Sequence, residues 1–215
     1  MSSSPLLLAL DTSTSTASVA LFDGERVLSE TTWLAGREHS TRLLVEVDVA
    51  LERIGRSEQD VTGLVVARGP GSFTGVRVAL SVAKGVAAGL GIPLWGVSSL
   101  DVVALAAGQV DLPLRAVLEA GRGRYACALY RGGAAIEPPR LATLDELIQI
   151  TEPHTMVIGE LGAEARQRLT NETGARVADP AACLRRAGFL AELGWRMAQR
   201  GEPGEPGRVD ALYIS

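Results

Sequence analysis

The 215-residue sequence has few aromatic residues, only two cysteines and no run of basic residues. Aromatic residues make up 4% of a chain that is 47% hydrophobic, so its core must be built mainly from Ala, Val and Leu. That composition suits an α/β protein with closely packed helices. Cys127 and Cys183 are too few and too isolated for a disulfide framework or a zinc site, and they indicate reduced thiols in a cytosolic protein.

The sequence also has no long runs of residues with the same charge. Its net charge is -4, which argues against unaided binding of nucleic acid, because phosphate contacts need a basic footprint. The N-terminal residues lack the basic start of a signal peptide, and their apolar run stops at Asp11. No apolar run looks long enough to span a bilayer. These absences predict a cytoplasmic protein with no membrane partner, and the length allows one large domain or two small ones.

The chain is organised around a helix predicted over Ser72–Leu90. It follows a buried-strand pattern at Leu64–Ala67 and a sharp turn at Gly69-Pro70-Gly71, and Ser72 or Thr74 can cap it. Only Arg77 and two other residues within it are clearly polar. A surface helix normally shows a wide polar face, so this helix needs burial on more than one side.

Two rows of side chains run along this helix at a spacing of four. A row of small residues consists of Gly75, Ala79, Ala83 and Ala87. A neighbouring row of bulky residues consists of Val78, Val82 and Val86. We interpret the small row as the face that meets a second protein, because close helix approach needs small side chains, and the bulky row as core. The alternative is that the helix lies wholly inside its own domain.

A second amphipathic helix is predicted over Ser40–Ile54, after a loop at Ala35–Glu38. Its main apolar stripe includes Leu43, Val47 and Leu51. Because Val45 and Val49 lie off that stripe, the helix has more apolar surface than one core face needs. We therefore predict a partner or dimer interface formed by this stripe together with the small row of the central helix and Arg77.

Two motifs carry a resemblance to a known family. GPGSFTGVR at Gly69–Arg77 and LALDTST at Leu8–Thr14 closely resemble the TsaB (YeaZ) family, strongly over Leu6–Leu100 and loosely beyond. The element order β-β-β-α-β-α-β-α also resembles the lobe that actin, sugar kinases and heat-shock chaperone ATPases use twice. The resemblance implies an α/β fold of two actin-like (ribonuclease H-like, ASKHA superfamily) lobes with mixed sheets flanked by helices.

The resemblance also implies a domain division. A complete lobe spans residues 1–110, and a smaller, degraded lobe spans residues 111–215. In that second lobe a long helix is predicted over Pro180–Arg200. Residues 201–207, rich in Gly and Pro, form a linker to a docking tail at Ala211–Ile214.

The function implied by the resemblance is that of a non-catalytic scaffold in forming N6-threonylcarbamoyladenosine (t6A) at adenosine 37 of tRNAs that read ANN codons. Its expected partners are a TsaD-like catalytic subunit and a TsaE-like ATPase, with tRNA reached only through the complex. A homodimer could use the same apolar face. No intrinsic cofactor is expected, although ATP or ADP could bind at the complex interface. The alternative is a small ATPase or kinase of the actin superfamily acting on its own.

A vestigial nucleotide and Mg²⁺ site is the best candidate for chemistry. In actin-like lobes a carboxylate at the end of the first strand holds Mg²⁺ through water and the next turn holds phosphate, and Asp11 with Thr12, Ser13 and Thr14 matches these positions. Ser13 stands where a glycine is usual. The alternative is a strand-end aspartate that takes hydrogen bonds from its own hairpin. Glu160, close to where a nucleotide must fit, further indicates a degraded site.

The sequence contains little evidence for a metal site. TsaD-like proteins carry two histidines four apart after the strand equivalent to Pro93–Val97, and those places hold Ser99 and Val103. The two histidines of this chain, His39 and His154, are far apart in sequence, and His39 is expected to be a polar surface residue.

Arg77 has two interpretations: it salt-bridges a loop carboxylate, or it contacts a partner or a shared nucleotide.

Overall fold

A computed structural model of the chain describes residues 4–35 and 39–214. Its strands are β1 (Leu7–Asp11), β2 (Thr16–Phe22), β3 (Val27–Leu34), β4 (Gly63–Ala67), β5 (Leu94–Val97), β6 (Leu114–Glu119), β7 (Arg124–Arg131), β8 (Ala134–Ala135), β9 (Arg140–Thr143), β10 (Met156–Gly159) and β11 (Arg176–Val177). Its α-helices are α1 (His39–Arg53), α2 (Phe73–Leu90), α3 (Ser99–Ala106), α4 (Leu144–Gln149), α5 (Ala163–Thr173) and α6 (Ala187–Gln199). Short 3₁₀ turns lie at Glu58–Asp60, Pro180–Cys183 and Pro206–Arg208. Most of the predicted loop at Ala35–Glu38, and the side chain of His39, lie outside the described residues.

The first sheet has the strand order β3-β2-β1-β4-β5. The β1–β2 and β2–β3 pairs are antiparallel, and the β1–β4 and β4–β5 pairs are parallel. All five residues of β1 are buried, as expected for a strand covered on both faces. The predicted order β-β-β-α-β-α-β-α is confirmed in this lobe.

Each face of the first sheet has its own helices, because strand side chains alternate between faces. Leu8 and Leu10 of β1 pack in one core cluster with α1 and α2. Leu7 and Ala9 pack in another with Leu190 and other residues of α6. The helix nearest the C-terminus therefore covers the back of the sheet that the N-terminal residues begin.

The second sheet has the order β11-β10-β6-β7-β8, with β9 also paired to β7. One face is covered by α4 and α5, through Leu147 and Leu169, together with Leu161 of the loop before α5. The other face packs against Leu100 and Val103 of α3. Since α3 follows β5 of the first sheet, it joins the two lobes.

The structure differs from the predicted division at residue 111 in one respect. The helix predicted over Pro180–Arg200 is broken: a 3₁₀ turn ends at Cys183 and α6 begins at Ala187. Because α6 packs on β1, β2, β4 and β5, the C-terminal part of the chain completes the first lobe rather than the second. The tail continues this arrangement, since the Leu212 amide donates to the Arg68 carbonyl at 2.7 Å.

Among the described residues, α2 is the one helix that is long and apolar enough, by length and composition, to cross a membrane. The sequence-based expectation that no apolar run has this length is therefore wrong by this measure. Ala79, Ala83 and Ala87 of α2 pack in the core of the first lobe. A core helix passes the same test, so the property carries no membrane assignment.

Candidate functional site

Arg185 lies buried between the two lobes, in the break that precedes α6. Its neighbours Leu184 and Arg186 both have extended backbones. The guanidinium Nε donates to Oδ2 of Asp11, at the end of β1. Nη1 donates to Oε1 of Glu160, just after β10, at 3.0 Å. The side chain is 1% exposed, so a cation is fully enclosed where the lobes meet.

The remaining donors of Arg185 bind the first lobe. Nη2 donates to the Thr14 hydroxyl and to the Thr16 carbonyl, both at 2.9 Å. The Thr14 hydroxyl in turn donates to Oε1 of Glu160 at 2.5 Å. We call Asp11, Thr14, Glu160 and Arg185 the inter-lobe cluster, because hydrogen bonds among them link β1 of one sheet to β10 of the other.

The inter-lobe cluster contains two carboxyl groups and one guanidinium. Among the described residues, Oε2 of Glu160 is buried and has no hydrogen-bond partner. Burial raises the pKa of Glu160, and the Arg185 charge and the Thr14 hydroxyl offset only part of that rise. Burial acts to lower the pKa of Arg185, but the carboxylates of Asp11 and Glu160 outweigh it and the net shift is upward, so the guanidinium stays charged.

The predicted site at Asp11, Thr12, Ser13 and Thr14 does not fit Mg²⁺ and phosphate. Oδ2 of Asp11 is used by Arg185, and Oδ1 accepts from the Ser13 amide at 2.8 Å and the Ser13 hydroxyl at 2.7 Å. Hydrated Mg²⁺ needs free carboxylate oxygens, and here Arg185 uses one oxygen and Ser13 the other. The geometry matches the alternative given above, an aspartate that takes hydrogen bonds from its own turn, with Arg185 added.

Ser99 and Val103, which stand at the positions of the two histidines of TsaD-like proteins, are both buried on α3. The Ser99 hydroxyl donates to the Ser13 hydroxyl at 2.9 Å, and Val103 packs in the core of the second lobe. The neighbouring Asp101 accepts from the Tyr130 hydroxyl at 2.7 Å. Within residues 4–35 and 39–214, no group of three or more His, Cys, Asp or Glu side chains could hold a metal ion.

The turn after β1 holds the start of α2. The Ser72 amide donates to the Ser13 carbonyl, and the Thr12 hydroxyl donates to the Gly75 carbonyl, both at 2.6 Å. A Cβ at Gly75 would overlap the carbonyl oxygen of Thr12. Glycine is therefore required there by close approach of the turn, and the Ser72 hydroxyl caps the helix by accepting from the Gly75 amide.

The predicted assignment of the faces of α2 is reversed. The row Gly75, Ala79, Ala83 and Ala87, which we call the inner row, is buried in the core of its own lobe. The bulky row lies at the edge of that core and is only partly buried. The small side chains let α2 lie close to its own sheet, so these four residues are not an open partner face.

The apolar stripe of α1 needs the same correction. Leu43, Val47 and Leu51 are buried against the first sheet. The exposed large apolar residues of α1 are Leu44, 47% exposed, and Val45, 58% exposed. The apolar surface in excess of the core is therefore real: Val45, predicted to lie off the stripe, provides part of it, and Leu44 provides the rest.

The open side of α2 also combines small and bulky residues. Ser81, Gly85 and Gly89 are exposed at a spacing of four, and a Cβ at either glycine would have no atom within 4 Å. Val82 and Val86 flank them and, with Leu44, line a cavity of about 70 Å³ between α1 and α2. We define the outer face as Leu44 and Val45 of α1 with Val78, Ser81, Val82, Gly85, Val86 and Gly89 of α2.

Arg77 contacts aromatic residues. Its guanidinium carbon lies 3.7 Å from the centre of the Phe73 ring, and its Nε donates to the Tyr213 hydroxyl at 3.1 Å. The two rings are 5.9 Å apart, and both side chains are more than half exposed. Among the described residues, Arg77 has neither a loop carboxylate as a partner nor a place in the inter-lobe cluster; a contact with a partner or a shared nucleotide stays a prediction.

Comparison with known proteins is consistent with the two quoted motifs. The chain is 36% identical over 125 residues to the tRNA threonylcarbamoyladenosine biosynthesis protein TsaB of Bacillus subtilis, and 39% identical over 127 residues to that of Escherichia coli. These alignments cover 58% of this chain, and it spans about half the length of either relative. The family model described as "TsaD: tRNA N6-adenosine threonylcarbamoyltransferase" matches residues 33–177, more than half of the chain. The chain belongs to this family. Within it, the curated relatives named above are TsaB (YeaZ) proteins.

Solved structures extend the likeness over the whole TsaB-like fold. YeaZ from Pseudomonas aeruginosa matches with a TM-score of 0.76 and 28% identity, covering 98% of this chain and 100% of that chain. The ethanolamine utilization protein EutJ from Carboxydothermus hydrogenoformans matches with a TM-score of 0.54 and 14% identity over 88% of this chain and 89% of that chain, a likeness of fold alone. The predicted family and the two-lobed actin-like fold are confirmed.

Sequence reasoning missed the residue at the centre of the TsaB-like cleft, Arg185. Its partners Asp11 and Thr14 lie 174 and 171 residues earlier in the chain, and it was assigned to the interior of a helix. The exposed glycines at positions 85 and 89 were also missed, although glycine in a helix interior is unfavourable by about 1 kcal/mol relative to alanine. This unfavourable free energy was the signal in the sequence that could have identified the two glycines.

Proposed function

We propose that this chain is a non-catalytic subunit in t6A formation, which acts by binding and activating a TsaD-like catalytic subunit through the outer face. In this proposal the partner transfers the threonylcarbamoyl group to N6 of adenosine 37 in tRNAs reading ANN codons. A TsaE-like ATPase is the third member, tRNA is reached only through the cytoplasmic complex, and ATP or ADP at the complex interface stays a prediction.

The observation that carries the proposal is the outer face itself. Leu44 and Val45 are about half exposed, and Val78, Val82 and Val86 are only partly buried. Contiguous exposed apolar surface of this kind is typical of protein interaction sites. With the family assignment, it favours a protein partner over a small ligand.

The exposed glycines of α2 support a helical partner. Gly85 and Gly89 have no packing reason within the described residues, since a Cβ at either would meet open space. Each weakens the free helix relative to alanine. A helix from the partner, lying close against Ser81, Gly85 and Gly89, would account for both.

The inter-lobe cluster supports the non-catalytic part of the proposal. The carboxylate that should hold hydrated Mg²⁺ in an actin-like lobe is bonded to Arg185 on one oxygen and to Ser13 on the other. Ser99 and Val103 offer no metal ligand pair in place of two histidines. The chemistry of the reaction is therefore assigned to the partner.

The experiment compares one charge insertion on α2 with a control insertion on α5. Val82→Glu adds a carboxylate to the outer face, at a position that is only partly buried in the free chain. An unpaired charge buried by a partner costs several kcal/mol, so we expect at least a hundredfold weaker binding to a TsaD-like subunit in calorimetry. Gln167→Glu adds the same charge on the exposed side of α5 and should leave binding unchanged.

Two results would count against the proposal. Unchanged affinity of a folded Val82→Glu variant would remove the outer face as the binding surface. Steady ATP turnover by the purified chain alone would favour the alternative, a small ATPase or kinase of the actin superfamily. Sedimentation of the chain alone and with the TsaD-like subunit separates a homodimer from the heteromeric complex, since one apolar face can serve both.

A further inference from the structure

The inter-lobe cluster and the outer face are joined by one short segment, the turn after β1. Arg185 binds Asp11 at the start of this turn. Asp11 accepts from the amide and hydroxyl of Ser13, and the carbonyl of Ser13 accepts from the amide of Ser72, the N-cap of α2. A continuous path of hydrogen bonds therefore runs from Arg185 to the helix that carries most of the outer face.

The same turn also fixes α3. The Ser99 hydroxyl, in the first turn of α3, donates to the Ser13 hydroxyl. Since α3 packs on the second sheet through Leu100 and Glu160 follows β10 of that sheet, two links connect the second lobe to Ser13. One passes through Ser99 and the other through Glu160, Arg185 and Asp11.

Arg185 is the member of the cluster that the others cannot replace. Asp11 and Glu160 are both carboxyl groups, and without Arg185 no cation would lie between these two acids. The Thr14 hydroxyl links Glu160 to the first lobe directly, but within the cluster only Arg185 bonds to both Asp11 and Glu160.

We propose that Arg185 is a positioning residue for partner binding: by clamping Glu160 to Asp11 it fixes the turn at Thr12 and Ser13, and with it the N-terminal end of α2. Arg185 does not touch the partner in this proposal, because it is enclosed between the lobes. The inference rests on the proposed function, since it concerns the affinity of the outer face for its partner.

A merely structural role makes a different prediction. In that case loss of Arg185 lowers the melting temperature, but the surviving folded molecules present the outer face unchanged and bind with full affinity. A positioning role changes the order of the turn and the affinity of the folded molecule together.

The test uses adjacent arginines as a matched pair. Arg186 is the same residue type one position later, but it is half exposed and pairs with Glu30 on the surface of the first lobe. Arg185→Met and Arg186→Met are compared with the unmodified chain by hydrogen exchange of the Ser13 and Ser72 amides and by calorimetry with the TsaD-like subunit, well below each melting temperature. Arg185→Lys, which keeps the charge, tests for rescue.

We expect faster exchange at both amides and roughly tenfold weaker binding for Arg185→Met, partial recovery for Arg185→Lys, and no change for Arg186→Met. If Arg185→Met does not fold, the triple variant Asp11→Asn, Glu160→Gln, Arg185→Met removes every charge of the cluster, and the same two measurements apply. Unchanged exchange and affinity in a folded Arg185 variant would overturn the inference.

The two proposals fail in different ways. If Val82→Glu leaves binding intact while Arg185→Met still speeds exchange at Ser13 and Ser72, the proposed binding face is wrong and the clamp on the turn is right. If Val82→Glu abolishes binding and Arg185→Met leaves affinity unchanged, the binding face is right and the positioning role is wrong.

Discussion

Helix α2 is held in two unlike ways, along its length by the inner row and at its N-terminal end by contacts that lead to the inter-lobe cluster. The inner row is made of alanines and a glycine whose small volume brings helix and sheet together. The cluster is made of charged groups that satisfy one another. The first depends on close packing and the second on charge pairing, so the two should respond differently to added volume and to pH.

The largest effect is expected in the inner row. Ala83→Glu places a long carboxylate where the present side chain is fully buried, and both overpacking and an unpaired charge act against folding. We expect a loss of more than about 4 kcal/mol in the free energy of unfolding, measured by urea denaturation. Ser81→Glu, two residues earlier on the exposed side, is the control and should stay within about 0.5 kcal/mol. A stable Ala83→Glu variant would show that the faces of α2 are not as described.

A smaller effect, and one that depends on pH, is expected in the inter-lobe cluster. The pKa of Glu160 is raised by burial above its ordinary 4.5, an effect only partly opposed by Arg185 and Thr14; Asp11 and Glu119 add to the rise. Above pH 4.5 the unfolded chain releases the Glu160 proton while the folded chain keeps it. The free energy of unfolding therefore falls as the pH rises from 4.5 to the raised pKa of Glu160, by up to about 1.4 kcal/mol per pH unit.

The variant Glu160→Gln removes this proton and should flatten the dependence on pH. Urea denaturation of both chains between pH 5 and 8 makes the comparison. Equal slopes for the two chains would mean that Glu160 is ionised in the folded state throughout, and that the cluster carries an excess buried negative charge.

The smallest effect is expected on the outer face, where two measurements should move in opposite directions. Gly85→Ala adds a methyl group in open space and removes the flexibility of glycine, so the free chain should gain about 0.5–1 kcal/mol in stability. The same methyl group should weaken binding of the TsaD-like subunit, because a helix cannot approach as closely. If stability and affinity both rise, the glycines do not mark a close contact.

The inner row and the cluster also differ in how far the sequence alone could predict them. The spacing of four in α2 is local, so the helix, a cap at Ser72 or Thr74 and the existence of a small row followed directly from the sequence. Which of two rows faces the sheet did not follow, because Ala83 and Val82 are both apolar and the choice depends on the curvature and distance of the sheet. The cluster depends on Arg185 meeting Asp11 across 174 positions, and nothing local to either residue indicates the other.

The position of α6 has a consequence for the order in which the molecule can be built. Leu7, Ala9 and Val65 lie in strands made early in synthesis, yet the side of the sheet they face is closed by Leu190 and its neighbours. A nascent chain on the ribosome therefore carries this sheet with one apolar side bare until α6, Ala187–Gln199, has been translated. Folding of the first lobe must be completed by α6, and a chain that stops before Ala187 would present that bare side to chaperones and to other unfinished chains.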